Sequence, residues 1–199
     1  MDKSIRKVSF VDATIKTVAQ VGLENLRTKQ IAAESGMSEA TMYTHFGSKE
    51  EILNTTFLVL DRRFSDLLTK NKLVQTVLDG TCNLHDVAYE IWAKVYRYLI
   101  MHWEETMFVI RYRYSSYHTD EIRRMRRAYS GDFDDVYRII GDYFSNPNLV
   151  SCEFSIDYAF EMTFSFAEKI ISGRVEDTPE MQQRIWLGIR EAIKQLMER

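Results

Sequence analysis

The stretch Thr28-Lys29-Gln30-Ile31-Ala32-Ala33-Glu34-Ser35-Gly36-Met37-Ser38-Glu39-Ala40-Thr41-Met42-Tyr43-Thr44-His45-Phe46 decides how the chain reads. Thr28 can cap a short helix, Lys29 to Ser35, whose apolar Ile31 and Ala32 point inward, and Gly36 stops it. Ser38 restarts the chain as the cap of a second short helix running to about His45. Two short helices joined by a tight turn can lay the second across the major groove of DNA while the first braces against the backbone. Met37 and Met42 fit inward positions, which leaves Glu39, Ala40, Thr41, Tyr43, Thr44 and His45 for the surface.

Outward from this motif every strong signal is helical. Upstream, Val11, Ile15 and Val18 form an amphipathic stripe over residues 8–21, closed by Gly22. Downstream, Ser48 and Glu51 have capping-box spacing, and Ile52, Leu53, Thr56, Leu60, Phe64 and Leu67 carry a long helix to about residue 70. Further helices are expected over 84–102 and 104–116, then from a Thr119 cap to Phe144, where Asn146-Pro147-Asn148 breaks the chain. Ser151 is expected to cap a helix to Ser172, and Thr178-Pro179 opens the last. The expected architecture is all-α with about nine helices, a head over 1–50 and a body over 51–199.

Composition agrees with a globular helical chain. Of 199 residues, 45% are hydrophobic and 28% charged, with 2 Pro and 8 Gly. Cys82 and Cys152 match no metal-ligand spacing, so no disulfide framework or zinc ribbon is expected, and a reducing cytoplasm is the natural compartment. The N-terminal residues lack a signal-peptide core, and no apolar run approaches a membrane span. Net charge is −3, but residues 1–50 carry 7 basic against 6 acidic side chains, leaving the acidic excess to the rest.

The stretch Leu26 to Leu53, with Ile31-Ala32, Gly36-Met37-Ser38, Thr41-Met42-Tyr43, His45-Phe46 and Lys49-Glu50-Glu51, resembles the DNA-binding head of the TetR family. Phe10 to Gly22 matches that family's first helix in length and in its closing Gly. The resemblance implies a DNA-binding homodimer on a palindromic operator, most often a repressor released by a small-molecule inducer. It further implies that Thr28 contacts a phosphate, that Ser38 caps the recognition helix, and that Ala40 and Thr41 face base edges. Tyr43, His45 and Lys49 would reach the phosphate backbone. Glu39 departs from the basic or neutral residue expected beside DNA; it either accepts from a cytosine amino group or turns to solvent.

The body offers an aromatic run, Trp92, Tyr96, Tyr98, Trp103, Phe108, Tyr112, Tyr114 and Tyr117. It reads either as plain core or as the wall of an effector pocket, with Trp92, Tyr96, Trp103, Phe108 and Tyr112 as lining and Arg111 or Arg113 for an anionic group. Arg123, Arg124, Arg126 and Arg127 extend a basic run that reads first as a solvated face paired with Asp120, Glu121, Asp132, Asp134 and Asp135, remote from the head. Phe160, Thr163 and Phe166, then Ile185, Ile189 and Ile193, mark apolar faces on the last two helices. These either close the monomer core or, as the resemblance implies, form a dimeric four-helix bundle. His45, His85, His102 and His118 are scattered, and there is no phosphate loop or nucleophile elbow, so neither an enzyme nor a cofactor is expected. The competing reading is a TetR-like adaptor that acts through a protein partner.

Overall fold

The computed structural model describes residues 3–128, 133–146 and 148–198. Eleven helices occupy them: α1 (Lys3–Val21), α2 (Thr28–Glu34), α3 (Glu39–Phe46), α4 (Lys49–Thr69), α5 (Lys72–Leu78), α6 (Leu84–Met101), α7 (Trp103–Arg113), α8 (Asp120–Ala128), α9 (Asp134–Tyr143), α10 (Leu149–Ile171) and α11 (Pro179–Met197). No strand occurs among the described residues. The all-α reading therefore holds, with more helices than the nine expected. Helix α5 is one addition: seven residues, three of them the β-branched Val74, Thr76 and Val77, give little helical signal, and its start depends on Asn71, whose side chain accepts from the Leu73 N–H at 3.0 Å.

The expected single helix from Thr119 to Phe144 is described as α8 and α9, while residues 129–132, and Asp132 with them, lie outside the described residues. Pro147 of the expected break and the side chains of Arg126 and Arg127 also lie outside them. Arg27, not Thr28, is the N-cap of α2: its N–H donates to the Gln30 side chain at 2.7 Å, and Thr28 is already helical. Asn148 rather than Ser151 caps α10, accepting from the Ser151 N–H at 3.2 Å. The caps expected at Ser48 and Thr178 form, with N–H to Oγ distances of 3.0 and 3.2 Å.

Packing divides the chain into two units, residues 1–63 with 103–128 and residues 64–102 with 129–199. In the first, Phe10, Val18, Ile31, Met42 and Phe46 are buried, and Phe10 meets Phe46 edge-on at 6.0 Å. Helix α7 packs along α1. Phe57 of α4 stacks on Tyr112 at 4.4 Å. In the second unit, α10 lies against α11, α9 and α6. Two apolar clusters form there, one around Leu68, Val74, Ile91 and Val95 and one around Trp92, Tyr96, Ile185 and Ile189.

These units redistribute charge as well as helices. The first carries 15 Lys and Arg against 12 Asp and Glu, the second 11 against 17. The basic run at Arg111 to Arg127 was expected to lie apart from the head; residues 103–128 instead pack in the unit that contains it.

Candidate nucleic-acid interface and candidate effector cavity

The turn between α2 and α3 is a Schellman closure. The Met37 N–H donates to the Ala32 carbonyl at 3.0 Å and the Gly36 N–H to that of Ala33 at 3.1 Å. Gly36 has φ +68°, a conformation that costs an L side chain about 1–2 kcal/mol. Ser38 then caps α3, its Oγ accepting from the Thr41 N–H at 3.1 Å and lying 2.9 Å from the Thr41 hydroxyl.

Side chains lock the two helices together. The Thr28 hydroxyl donates to the Glu39 carboxylate at 2.5 Å, and the Tyr43 hydroxyl donates to Thr28 Oγ1 at 3.3 Å. Neither alternative foreseen for Glu39 describes this: its carboxylate braces the helix pair. Lys49 is likewise engaged, donating to the Leu26 carbonyl at 2.6 Å and fastening the start of α4 to the loop before α2. One of its three ammonium protons is used in this way. Among the candidate DNA-facing residues, Ser38, Ala40, Tyr43 and Thr44 are exposed, while Thr28, Glu39, Thr41, His45 and Lys49 are half-buried. Thr44 turns its hydroxyl back to the Ala40 carbonyl at 2.9 Å. The His45 ring lies 6.2 Å from Phe10, with Nδ1 buried.

The six residues foreseen for an effector pocket are divided between the two units. Trp103, Phe108, Arg111 and Tyr112 belong to the first unit, Trp92 and Tyr96 to the second. Arg111 donates to the carbonyls of Val18 and Ala19, the latter at 2.9 Å, so its guanidinium closes the last turn of α1 instead of facing a ligand. Phe108 and Tyr112 are core: the Tyr112 hydroxyl donates to Asn54 at 2.6 Å. Burial first, and the Glu50 charge second, push that hydroxyl above the ordinary tyrosine range.

A cavity does exist, within the second unit. It is open in part to solvent and offers about 210 Å³ of free volume between residues of α4, α5, α6, α9, α10 and α11. Trp92 lines it, as do Ile139, Phe144, Phe160 and Trp186. The Trp92 indole N–H donates to Thr163 Oγ1 at 3.1 Å, and the Thr163 hydroxyl donates to the Ala159 carbonyl at 2.7 Å. Tyr96 stacks on Trp92 at 5.1 Å and donates to Asp177 at 2.9 Å; burial, then this carboxylate, raises its pKa beyond the usual range.

The residues foreseen for dimerisation face the same interior. Ile185, Ile189 and Thr163 are buried, and Phe166 packs on the Trp92 cluster. Phe160, Thr163, Ile189 and Ile193 line the cavity. Thr163, Ile185 and Ile189 thus belong to the monomer core, while Phe160, Phe166 and Ile193 are half-buried in the single chain. The cavity's own signal in the sequence was the stripe Leu84, Ala88, Ile91, Trp92 and Val95, at helical spacing and without a charge. No group of His, Cys, Asp and Glu able to hold a metal occurs among the described residues, and no described helix is long and apolar enough to cross a membrane.

Comparison with known proteins agrees with this geometry. Residues 10–56 match the family of bacterial regulatory proteins, tetR family. The HTH-type transcriptional regulator BetI of Vibrio parahaemolyticus is 24% identical over 134 residues, 62% of this chain and 60% of that protein. The BetI of Agrobacterium fabrum is 36% identical over 58 residues, 29% of this chain and 28% of that one. The chain thus matches less than two thirds of the length of either relative. A TetR family transcription regulator from Marinobacter aquaeolei shares the fold over 94% of each chain, with a TM-score of 0.74 and 18% identity. Residues 10–56 thus carry the tetR-family head, and the chain along nearly its whole length shares the fold of a solved TetR family regulator.

Proposed function

We propose that this protein is a cytoplasmic, effector-responsive transcription regulator that binds a palindromic operator as a homodimer and acts as a repressor. The observation that carries the reading is the α3 face: Ala40, Tyr43 and Thr44 stand exposed on a helix capped by Ser38 and braced to α2 through Thr28 and Glu39. Such a rigid, small-residue surface suits entry into a major groove, where Ala40 and the Thr41 methyl would meet thymine methyl groups. Thr28, Tyr43, His45 and Lys49 flank it as backbone contacts, Glu39 serving to position Thr28. The net positive charge of the unit that holds this helix supports the same partner.

With the inner faces of α10 and α11 occupied by the monomer core, the dimer uses outward positions. Val150 and Phe154 of α10 and Leu187 of α11 are exposed apolar side chains there. The effector occupies the cavity of the second unit and favours a dimer whose recognition helices are wrongly spaced. Helix α4 contributes residues to both units and carries the change. Only differential affinity can do this, since a ligand that binds both states equally shifts nothing.

Selection of bound duplexes from random DNA tests the reading. The expected product is an inverted repeat with half-sites about one helical turn apart. Enrichment of a single asymmetric half-site, or of nothing, defeats it.

A further inference from the structure

We infer that the cavity of the second unit takes a single-tailed amphiphile with an anionic head, its aliphatic tail inside and its head at Arg190. This rests on the reading of the cavity as the effector site.

The wall leaves little choice of ligand. Among the described residues its lining includes no Asp, Glu, Lys, Asn, Gln or Ser, and apart from tyrosine its ionisable side chains are His85 and Arg190, both exposed. The polar pair within the wall is already satisfied, because Thr163 Oγ1 both accepts from Trp92 and donates to the Ala159 carbonyl. A sugar, amino acid or nucleoside would lose its hydration there and regain too few hydrogen bonds to offset the loss. An aliphatic tail loses nothing by entering.

A cationic amphiphile meets two obstacles. Among the described residues no carboxylate lines the cavity, and the aromatic side chains are packed against one another: Trp92 to Trp186 at 5.7 Å, Tyr89 to Trp92 at 5.9 Å and Tyr89 to Trp186 at 6.2 Å. Rings in mutual contact form a wall and leave no room between their faces for an ammonium group. The head is therefore met by positive charge. His85 sits 3.6 Å from the Asp86 carboxylate, which offsets any charge it gains. Arg190 makes no ion pair among the described residues, and its planar fork suits a carboxylate or a phosphate monoester.

The test is binding without DNA, so that its outcome is independent of operator release. Trp92 and Trp186 belong to the cavity wall and Trp103 to the other unit, so a Trp103→Phe protein reports occupancy through its remaining indoles. Titrations use four twelve-carbon probes: dodecanoate, dodecyl phosphate, dodecanol and dodecyltrimethylammonium. Either anion is expected to bind at least about tenfold more tightly than the alcohol. Whichever anion leads names the head. From octanoate to dodecanoate affinity should rise about fourfold per methylene. Arg190→Gln should level the anions with dodecanol while keeping the dependence on tail length, and Arg190→Lys should restore part of the preference. Ala88→Trp, which fills the cavity, should abolish binding of all four. The inference is overturned by equal or tighter binding of the ammonium probe, by failure of every probe to bind, or by a headgroup preference that survives Arg190→Gln. If the anions bind as expected but leave operator affinity unchanged, the inference stands and the effector reading of the cavity falls.

Discussion

The head and the cavity unit solve opposite problems. In the head, short helices that cannot bury much surface are held by named hydrogen bonds: Thr28 to Glu39, Tyr43 to Thr28, Lys49 to the Leu26 carbonyl and Arg111 to the end of α1. In the second unit, long helices pack through aliphatic and aromatic side chains and still leave space among them. A surface that must present side chains in register needs directional bonds, because dispersion does not fix a rotation about a helix axis. A chamber left among apolar side chains needs the reverse, walls whose polar groups already have partners, as Trp92 and Thr163 do.

The contrast can be broken most forcefully in the cores. Phe57→Ala removes a ring that is almost wholly buried and stacked on Tyr112, and should lower the unfolding free energy by about 3–5 kcal/mol in urea denaturation. Phe160→Ala in the cavity wall should cost clearly less, since part of that ring already faces empty space. Equal losses at the two sites would mean that the chamber collapses as a packed core does.

The turn comes next. Gly36→Ala meets no atom within 4 Å of the new Cβ, so its cost is backbone strain alone, about 1–2 kcal/mol in thermal or urea unfolding. No loss would show that the turn relaxes. Thr28→Val then removes both bracing bonds while keeping the shape. It should cost about 1 kcal/mol of stability and weaken operator binding at every sequence in gel-shift titrations. A change of base preference with unchanged stability would assign Thr28 to readout instead of positioning.

The smallest effect concerns pH. Tyr96 holds its proton more tightly folded than unfolded, where an ordinary tyrosine releases it near pH 10. Above about that pH the unfolded chain loses a proton that the folded chain keeps, so stability falls as pH rises. Tyr96→Phe should lose the bond to Asp177 and show a shallower alkaline decline in denaturation midpoints between pH 9 and 11. An unchanged slope would place the alkaline sensitivity elsewhere.

Legibility in the sequence follows the range of the interactions. The helix-turn-helix was readable because its determinants are neighbours: Ser38 caps from three residues away, Gly36 takes the positive φ that the turn demands, and Ser48 opens α4. The long helices were readable from their apolar periodicity. The pocket was not, because aromatic density along 92–117 says nothing about partition. His102 ends α6 and Trp103 opens α7, and at that junction the chain passes from one unit to the other, dividing the aromatic run.

By itself, then, the sequence determined an all-helical chain, many of its caps and turns, and a head with a helix-turn-helix, since these rest on backbone propensity and contacts within a few residues. Only the tertiary structure decided that Glu39 braces Thr28, that Arg111 closes α1, and that Ile185 and Ile189 point into their own monomer. Helical spacing fixes which residues share a face. It does not fix what that face meets, because a partner far along the chain is chosen by the packing of the whole unit.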